Sequence, residues 1–243
     1  MWEYLLADAP PFELFSSAHF VPLIVSGVIG SLSIVVARFL FSDRTKWLFG
    51  AYVSAIIPIL LIGWIIIRIS QGLFDPKIDL PFHLCHFLAF FLPFFFYYEY
   101  KKGLRVIYFF IMAGTIQALI TPDLSGANSN YIVIRYWIMH AGIVVLSLYS
   151  LIAFRLRPGW RDIWHAMVGV NIYLVFCLII NLIFDSNYFY VSHKPPVASM
   201  LDALGEWPWY ILQGEFLVLF LFIILLLPFL FLDRWKLLTI PKT

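Results

Sequence analysis

The stretch FLVLFLFIILLLPFLFL, residues 216–232, contains no polar side chain. A helix crosses a lipid bilayer when about 20 mainly apolar residues follow one another, because its backbone groups are then hydrogen-bonded within the segment. Together with the preceding WYILQGE, residues 209–215, the run is long enough to cross. This stretch therefore predicts an integral membrane protein.

The composition of the whole chain agrees with that prediction. Of its 243 residues, 63% are hydrophobic, 19% are aromatic and only 12% are charged. Soluble domains have about 45–50% apolar and about 25% charged residues. The composition excludes a soluble globule, a disordered chain and a coiled coil. We predict one polytopic membrane domain over residues 1–243.

Six further apolar runs meet the same criterion. The seven predicted spans lie near residues 18–41, 46–70, 82–98, 104–121, 132–154, 163–184 and 209–232. The predicted fold class is therefore all-α, a bundle of seven transmembrane helices.

The basic residues are distributed unevenly between the two sets of connections. Twelve of the sixteen fall on one side, namely Arg38, Arg44, Lys46, Lys101, Lys102, Arg105, Arg155, Arg157, Arg161, Arg234, Lys236 and Lys242. The other four are Arg68, Lys77, Arg135 and Lys194. Since cytoplasmic loops carry the excess of Lys and Arg, we expect an external N-terminus and a cytoplasmic C-terminus.

Polar side chains within the predicted spans are concentrated near the external ends. They are His19, His83, His86, Gln117, Thr121, Arg135, His140, Asn181, Gln213 and Glu215. Ionisable groups in a membrane usually face a partner, a bundle interior or a watery cavity, and Glu215 is the natural partner for Arg135. These groups could simply hold helices together. Their common depth favours a shared site in the outer half of the bilayer.

The sequence LPFHLCHFLAFF, residues 80–91, contains the candidate chemistry. A cysteine beside an imidazole can act as a thiolate nucleophile, with a histidine as base, so the catalytic candidates are His83, Cys85 and His140. In an ideal helix Cys85 points away from the face shared by His83 and His86. A zinc site and an inert buried thiol are the alternatives, but zinc would need a ligand from a second helix. We predict no cofactor and no bound metal.

A second set of residues supplies candidate substrate-binding groups. This set consists of His86, Gln117, Asp123, Arg135, Asn181, Asn187, Lys194 and Glu215. The long connection 185–208 is either a lid or an interfacial anchor. The chain has no nucleic-acid module, and we expect membrane lipids as its partners.

Four stretches resemble the YwaF-like family of bacterial integral membrane proteins. They are LPFHLCHFLAFF (80–91), QALITPDL (117–124), RYWIMHAGIVVLSLY (135–149) and NLIFDSNYFYVSHKPPVASMLDALGEWPWYIL (181–212). The resemblance implies a multi-pass protein of a bacterial plasma membrane.

More distantly, this family is similar to a eukaryotic multi-span acyltransferase that remodels ether phospholipids with a cysteine and a histidine. It is also similar to the androgen-induced-gene lipid hydrolases, which use a threonine and a histidine. These resemblances imply functional histidines at His83 and His140. The acyltransferase has its cysteine immediately before the first histidine, where this chain has Phe82, and Cys85 follows that histidine instead.

Three function classes follow from the sequence. The leading hypothesis is a lipid acyltransferase or lipid hydrolase with its site in the outer half of the bilayer. A transporter or receptor-like binder of a small polar or amphiphilic solute is the second, and a non-catalytic membrane subunit is the third. Polar groups are scarce in the inner half of the spans, which makes transport the weaker of the first two.

Overall fold

The protein is described by a computed structural model that covers residues 2–124, 126–127, 129–195 and 199–239, without the side chains of residues 2 and 232–239. The described residues are helical and contain no strand. The α-helices are α1 (Trp2–Leu6), α2 (Ser17–Leu40), α3 (Asp43–Ser70), α4 (Leu84–Tyr97), α5 (Lys101–Phe110), α6 (Ile116–Ile120), α7 (Asn130–Ala153), α8 (Trp160–Phe184) and α9 (Trp209–Thr239). A π-helical turn, Ile111–Thr115, joins α5 to α6, and 3-10 turns occur at Tyr188–Tyr190 and Met200–Ala203.

Six of the predicted spans are confirmed by helices long and apolar enough to cross a membrane. They are α2, α3, the continuous run Lys101–Ile120, α7, α8 and the described part of α9. Their ends lie within three residues of the predicted ones, except that α9 continues beyond residue 232 to Thr239. The protein is thus a multi-pass membrane protein.

The remaining predicted span, residues 82–98, is a shorter helix than expected. Helix α4 has 14 residues and begins at Leu84, because the backbone of His83 is extended (φ −73°, ψ 144°). At 1.5 Å per residue α4 is about 21 Å long, less than the hydrocarbon thickness of about 30 Å. The structure supports six spanning helices and one short apolar helix, in place of seven full spans.

Helix α7 lies at the centre of the bundle. In its apolar window 67% of the residues are buried, against 11% in α2 and in α9. The core is formed by apolar side chains such as Leu92, Phe109, Ile143 and Leu226, which are fully buried. The polar residues on α7 are therefore held in the interior, whereas much of α2 and α9 is exposed.

The helices bring their charged ends together at two opposite ends of the bundle. We call the end formed by the last turns of α3 and α8 and the first turns of α4 and α7 the polar end. We call the end formed by the last turns of α2, α4 and α7 and the first turns of α3 and α5 the basic end. A salt bridge of 2.6 Å from Lys77 to Asp185 joins the α3–α4 connection to the end of α8 at the polar end.

Candidate functional site

Three histidines lie near one another at the polar end. The ring centroids of His83 and His86 are 5.9 Å apart in an edge-on arrangement. His86 also lies within electrostatic range of His140 and Arg135, and His83 within range of Asp123. The structure thus brings together five sequence-predicted residues from α4, α7 and the connection that precedes α7.

The orientation of His140 leaves one ring nitrogen available. Its Nδ1 lies 2.9 Å from the backbone oxygen of Tyr136, one helical turn earlier. Because that carbonyl can only accept, Nδ1 carries the proton and Nε2 presents a lone pair. The ring of Tyr136 lies 4.1 Å from that of His140, and the Tyr136 hydroxyl donates to the oxygen of Ala118 at 2.7 Å. His140 is buried and suited to act as a base.

Cys85 contacts a residue that sequence reasoning missed. Its Sγ lies 3.4 Å from Oγ1 of Thr115, which is fully buried in the π-helical turn. Such turns within α-helices are often found at functional sites because they redirect one side chain. Nothing in the local sequence distinguishes Thr115 from a hydroxyl that hydrogen-bonds to its own helix.

The helical-wheel argument for His83 and Cys85 does not apply, because His83 precedes the first turn of α4. The extended backbone lets the His83 ring pack against Tyr188, with centroids 5.2 Å apart, and against Tyr190, at 5.5 Å. Burial raises the pKa of the Tyr188 hydroxyl to about 12. That hydroxyl donates to the oxygen of Pro76 at 2.7 Å and holds the connection against the histidine.

A cavity of about 310 Å³ opens between α3, α4 and α7. Arg135 and His86 line it together with Arg68 and Asp79. The last two residues form a salt bridge of 3.0 Å, in which the Asp79 side chain is 6% exposed. The guanidinium of Arg135 lies 5.5 Å from the ring centroid of Trp64.

Two polar atoms at this cavity lack hydrogen-bond partners. Nδ1 of His86 and Nε of Arg135 are both buried without one among the described residues. A buried polar group without a partner costs about 1–3 kcal/mol, and more when it is charged. The two atoms are therefore available to a ligand, and Arg68 and Asp79 are further residues of this site that sequence reasoning did not select.

Glu215 is not brought to Arg135. Its Oε2 accepts a hydrogen bond of 2.9 Å from Asn171, midway along α8. The two residues lie on helices whose rotation about their axes the sequence leaves open. The expected Arg135–Glu215 pair is therefore replaced by an amide–carboxylate contact between α8 and α9.

The other predicted binding residues hold the local backbone. Asn181 is buried and bonds to both backbone groups of Tyr188. The side chain of Asn187 bonds to residues 192 and 193. Gln117 donates to the oxygen of Ala113 at 2.8 Å, and Lys194 donates to the oxygen of Leu204 at 2.8 Å. These contacts order the elements around the histidines.

Across the described ranges, no group of three or more His, Cys, Asp or Glu side chains is arranged to hold a metal ion. The arrangement at the polar end instead combines a thiol, a hydroxyl, histidine bases and a buried cation. Such groups can support acyl transfer, in which a nucleophile, a base and a charge-stabilising donor are needed.

Comparison with known proteins identifies the family. A family model described as the TMEM164 family matches residues 14–226, a range that contains every candidate site residue. The chain belongs to the TMEM164 family. No curated protein and no solved structure matches the chain.

Proposed function

We propose that this TMEM164 family protein is a lipid-modifying enzyme that transfers or hydrolyses an acyl ester at the polar end. The observation that carries the proposal is the set of buried groups there. His86 and Arg135 present unpartnered polar atoms, and His83 and His140 lie within electrostatic range of His86. Ionisable groups within a membrane are costly and are usually functional. A lipid with a polar headgroup and apolar chains suits such a site.

The Cys85–Thr115 pair supplies the nucleophile. In the acylation step, Sγ of Cys85 or Oγ1 of Thr115 attacks the ester carbonyl carbon, and a histidine takes the proton of the attacking group. The ester bond to the lysolipid oxygen breaks, and the histidine returns the proton to that oxygen. Water then releases the acyl group as a fatty acid in a hydrolase, whereas a second lipid hydroxyl receives it in a transferase.

His140 is the favoured base, because its Nδ1 bond to the Tyr136 oxygen leaves Nε2 free. Arg135 is the favoured headgroup ligand. A guanidinium binds phosphate through parallel hydrogen bonds, and its buried Nε has no partner among the described residues. The membrane-facing surfaces of the surrounding helices are apolar and suit the acyl chains.

The distant similarity of the YwaF-like family to multi-span lipid enzymes, which implies functional histidines at His83 and His140, supports the same reaction class. The two enzyme families named above use a cysteine or a threonine with a histidine, and Cys85 and Thr115 are adjacent in this chain. Because the chain resembles the YwaF-like family of bacterial membrane proteins, we infer that it acts in a bacterial plasma membrane with membrane lipids as its partners.

We also infer that α4 counts as a seventh crossing despite its length. His86 in its first turn lines the cavity at the polar end, whereas Phe96 and Tyr97 in its last turn line a cavity at the basic end. Seven crossings place the termini on opposite sides, in agreement with an external N-terminus under the positive-inside rule.

A second candidate function is supported by the cavity itself. Cys85, Thr115 and His140 do not line it, whereas Arg135 and His86 do. That arrangement would suit a carrier or receptor that binds an anionic or amphiphilic solute without changing it. The variants below distinguish the two functions.

The test is acyl exchange by the purified protein in liposomes, with a phospholipid donor and a lysophospholipid acceptor, and with released fatty acid measured in parallel. We expect His140→Asn to lower kcat/KM by about 10²–10⁴, the usual contribution of a general base. The Asn side chain retains a donor for the Tyr136 oxygen. Thr115→Val and Cys85→Ser, made separately, show which group is acylated.

His165→Asn is the matched control. His165 makes the same one-turn contact, from its Nδ1 to the backbone oxygen of Arg161 at 2.5 Å, but it is exposed and lies in the first turns of α8. We expect it to keep the wild-type rate. Enzymatic function is refuted if the wild-type protein releases and transfers no acyl group, or if His140→Asn is as active as His165→Asn. Binding of a lipid by a catalytically silent protein, lost in Arg135→Met, would establish the carrier.

A further inference from the structure

A second and larger cavity, of about 790 Å³, lies at the basic end. Five basic side chains line it, namely Arg38, Arg44, Lys46, Lys101 and Arg155. Two acidic side chains, Asp43 and Glu99, also line it, which leaves a formal excess of three positive charges. These residues come from three separate helix junctions, so the tertiary structure gathers the charge.

Most of this positive charge is not neutralised by the side chains that the structure describes. Lys46 forms a salt bridge of 2.9 Å with Asp43, whose own side chain is 89% exposed. Among the residues that the structure describes, no salt bridge involves Arg44, Lys101 or Arg155. The cavity therefore carries a positive charge that these residues do not balance.

Two helices begin at this cavity, and one of them starts with basic residues. Helix α3 begins at Asp43 and α5 at Lys101. The first turn of a helix carries a partial positive charge and unpaired backbone N–H groups, which favour anions and disfavour cations. Lys101 and Lys102 in the first turn of α5 oppose the helix dipole, so a bound anion would stabilise that helix. The start of α3, by contrast, already has Asp43 and a cap from Ser42.

Two helix ends place charged residues at the rim through an uncommon backbone conformation. Arg155 lies two residues beyond the end of α7 and has φ 54°, and a hydrogen bond from Leu156 N to Leu151 O closes the turn. Glu99 lies two residues beyond the end of α4 and has φ 52°. Glycine is the usual residue at such a left-handed position. An arginine there is strained and gives the cavity a side chain that glycine would lack.

The floor of the cavity is aromatic. The rings of Trp47 and Phe154 stack with centroids 3.7 Å apart, and Trp47 also packs on Phe96 at 6.2 Å. An apolar wall of low dielectric strengthens the attraction between the cavity's cations and an anion. Basic pockets between transmembrane helices at a cytoplasmic surface are suited to anionic lipid headgroups.

We propose that this cavity binds a phosphate group, carried either by an anionic phospholipid headgroup or by a small soluble anion. Arg155 and Lys101 are its principal ligands, together with Arg38 and Arg44. The site is separate from the one at the polar end, and it does not depend on any catalytic activity there.

The experiment uses the full-length protein, delipidated in neutral detergent. Native mass spectrometry measures the retention of phosphatidylglycerol and of phosphatidylcholine at equal concentrations. Arg155→Asn removes the charge and keeps a residue that tolerates the left-handed conformation. Lys101→Gln removes a charge at the start of α5. We expect each variant to bind phosphatidylglycerol about tenfold more weakly, as for one charge-assisted hydrogen bond.

Lys102→Gln is the matched control, because Lys102 is the exposed neighbour of Lys101 and lies outside the cavity lining. We expect it to bind like the wild-type protein. Displacement of the lipid by millimolar inorganic phosphate, but not by chloride, would identify the phosphate group alone as the ligand. Resistance to displacement would identify the lipid headgroup.

Three results would overturn the proposal. One is an equal loss in Lys102→Gln and Lys101→Gln, which would indicate only a general surface field. The second is equal retention of the two lipids by the wild-type protein without any effect of phosphate on its thermal unfolding. The third is unchanged binding in Arg155→Asn with the thermal unfolding of that variant intact.

Discussion

Replacing Asn181 with leucine tests how the polar end is held in place. The amide of Asn181 donates to the backbone oxygen of Tyr188 at 3.0 Å and accepts from the Tyr188 N–H at 2.8 Å. Its oxygen also accepts from the hydroxyl of Ser186 at 2.8 Å. Asn181 is 5% exposed, and leucine has a similar size without hydrogen-bonding groups. The variant therefore leaves two buried backbone groups without partners.

The expected cost follows from those two groups. A buried donor or acceptor without a partner costs about 1–3 kcal/mol, so the free energy of unfolding should fall by about 2–6 kcal/mol. Tyr188 packs on His83, with ring centroids 5.2 Å apart. The loss should therefore also release the aromatic cover of that histidine.

The assay is reversible unfolding in mixed detergent and SDS, followed by tryptophan fluorescence. Asn187→Leu is the control, because Asn187 also makes three side-chain bonds to backbone groups, at 2.8, 3.1 and 3.2 Å. Those bonds are solvent-exposed, so water can replace them, and we expect a loss of about 1 kcal/mol. Equal losses in the two variants, or a loss below about 1 kcal/mol for Asn181→Leu, would show that Asn181 does not hold Tyr188 in place.

Two further predictions concern packing and charge. A Cβ atom on Gly50 would lie 2.4 Å from the ring of Phe96, whereas one on Gly27 would meet no atom within 4 Å. Gly50→Ala should therefore lower the free energy of unfolding by about 1–3 kcal/mol, and Gly27→Ala should raise it by about 0.5–1 kcal/mol. SDS unfolding measures both changes, and the reverse order would contradict the packing. The carboxylate of Asp185 raises the pKa of Lys77 above 10.5 through a hydrogen bond and its charge, and Lys77 in turn lowers the pKa of Asp185 below 3.8. The ion pair therefore stabilises the folded protein at pH values where both groups are charged. That contribution is lost as the pH rises through the raised pKa of Lys77 or falls through the lowered pKa of Asp185. Asp185→Asn should speed amine acylation of Lys77 near pH 10, measured by mass spectrometry, and unchanged labelling would contradict the pairing.

The positions of the spanning helices could be predicted from the sequence because the free energy of placing a segment in a membrane is mainly a sum over its own residues. Residues 216–232 contain no polar side chain, and no tertiary contact is needed to interpret them. The residue at which a helix begins cannot be found from such a sum over residues, as His83 shows. Its extended backbone shortens α4 to 14 residues.

Contacts between helices could not be predicted in this way, because they depend on how each helix is rotated about its axis. That rotation is decided by packing of the whole bundle, to which every neighbouring side chain contributes. Cys85 meets Thr115 because a π-helical turn directs the threonine inward, and Glu215 meets Asn171 in place of Arg135.

The two cavities illustrate the same difference between helix positions, which can be predicted, and contacts between helices, which cannot. The hydropathy of the chain is enough to assign Arg135 to a membrane helix and Arg155 to the residues that follow one, and so to opposite ends of the bundle. Packing of the helices brings Arg135 into one cavity with His86, Arg68 and Asp79, and Arg155 into another with Lys101. Depth in a membrane is a property of one segment, whereas proximity is a property of several segments packed together.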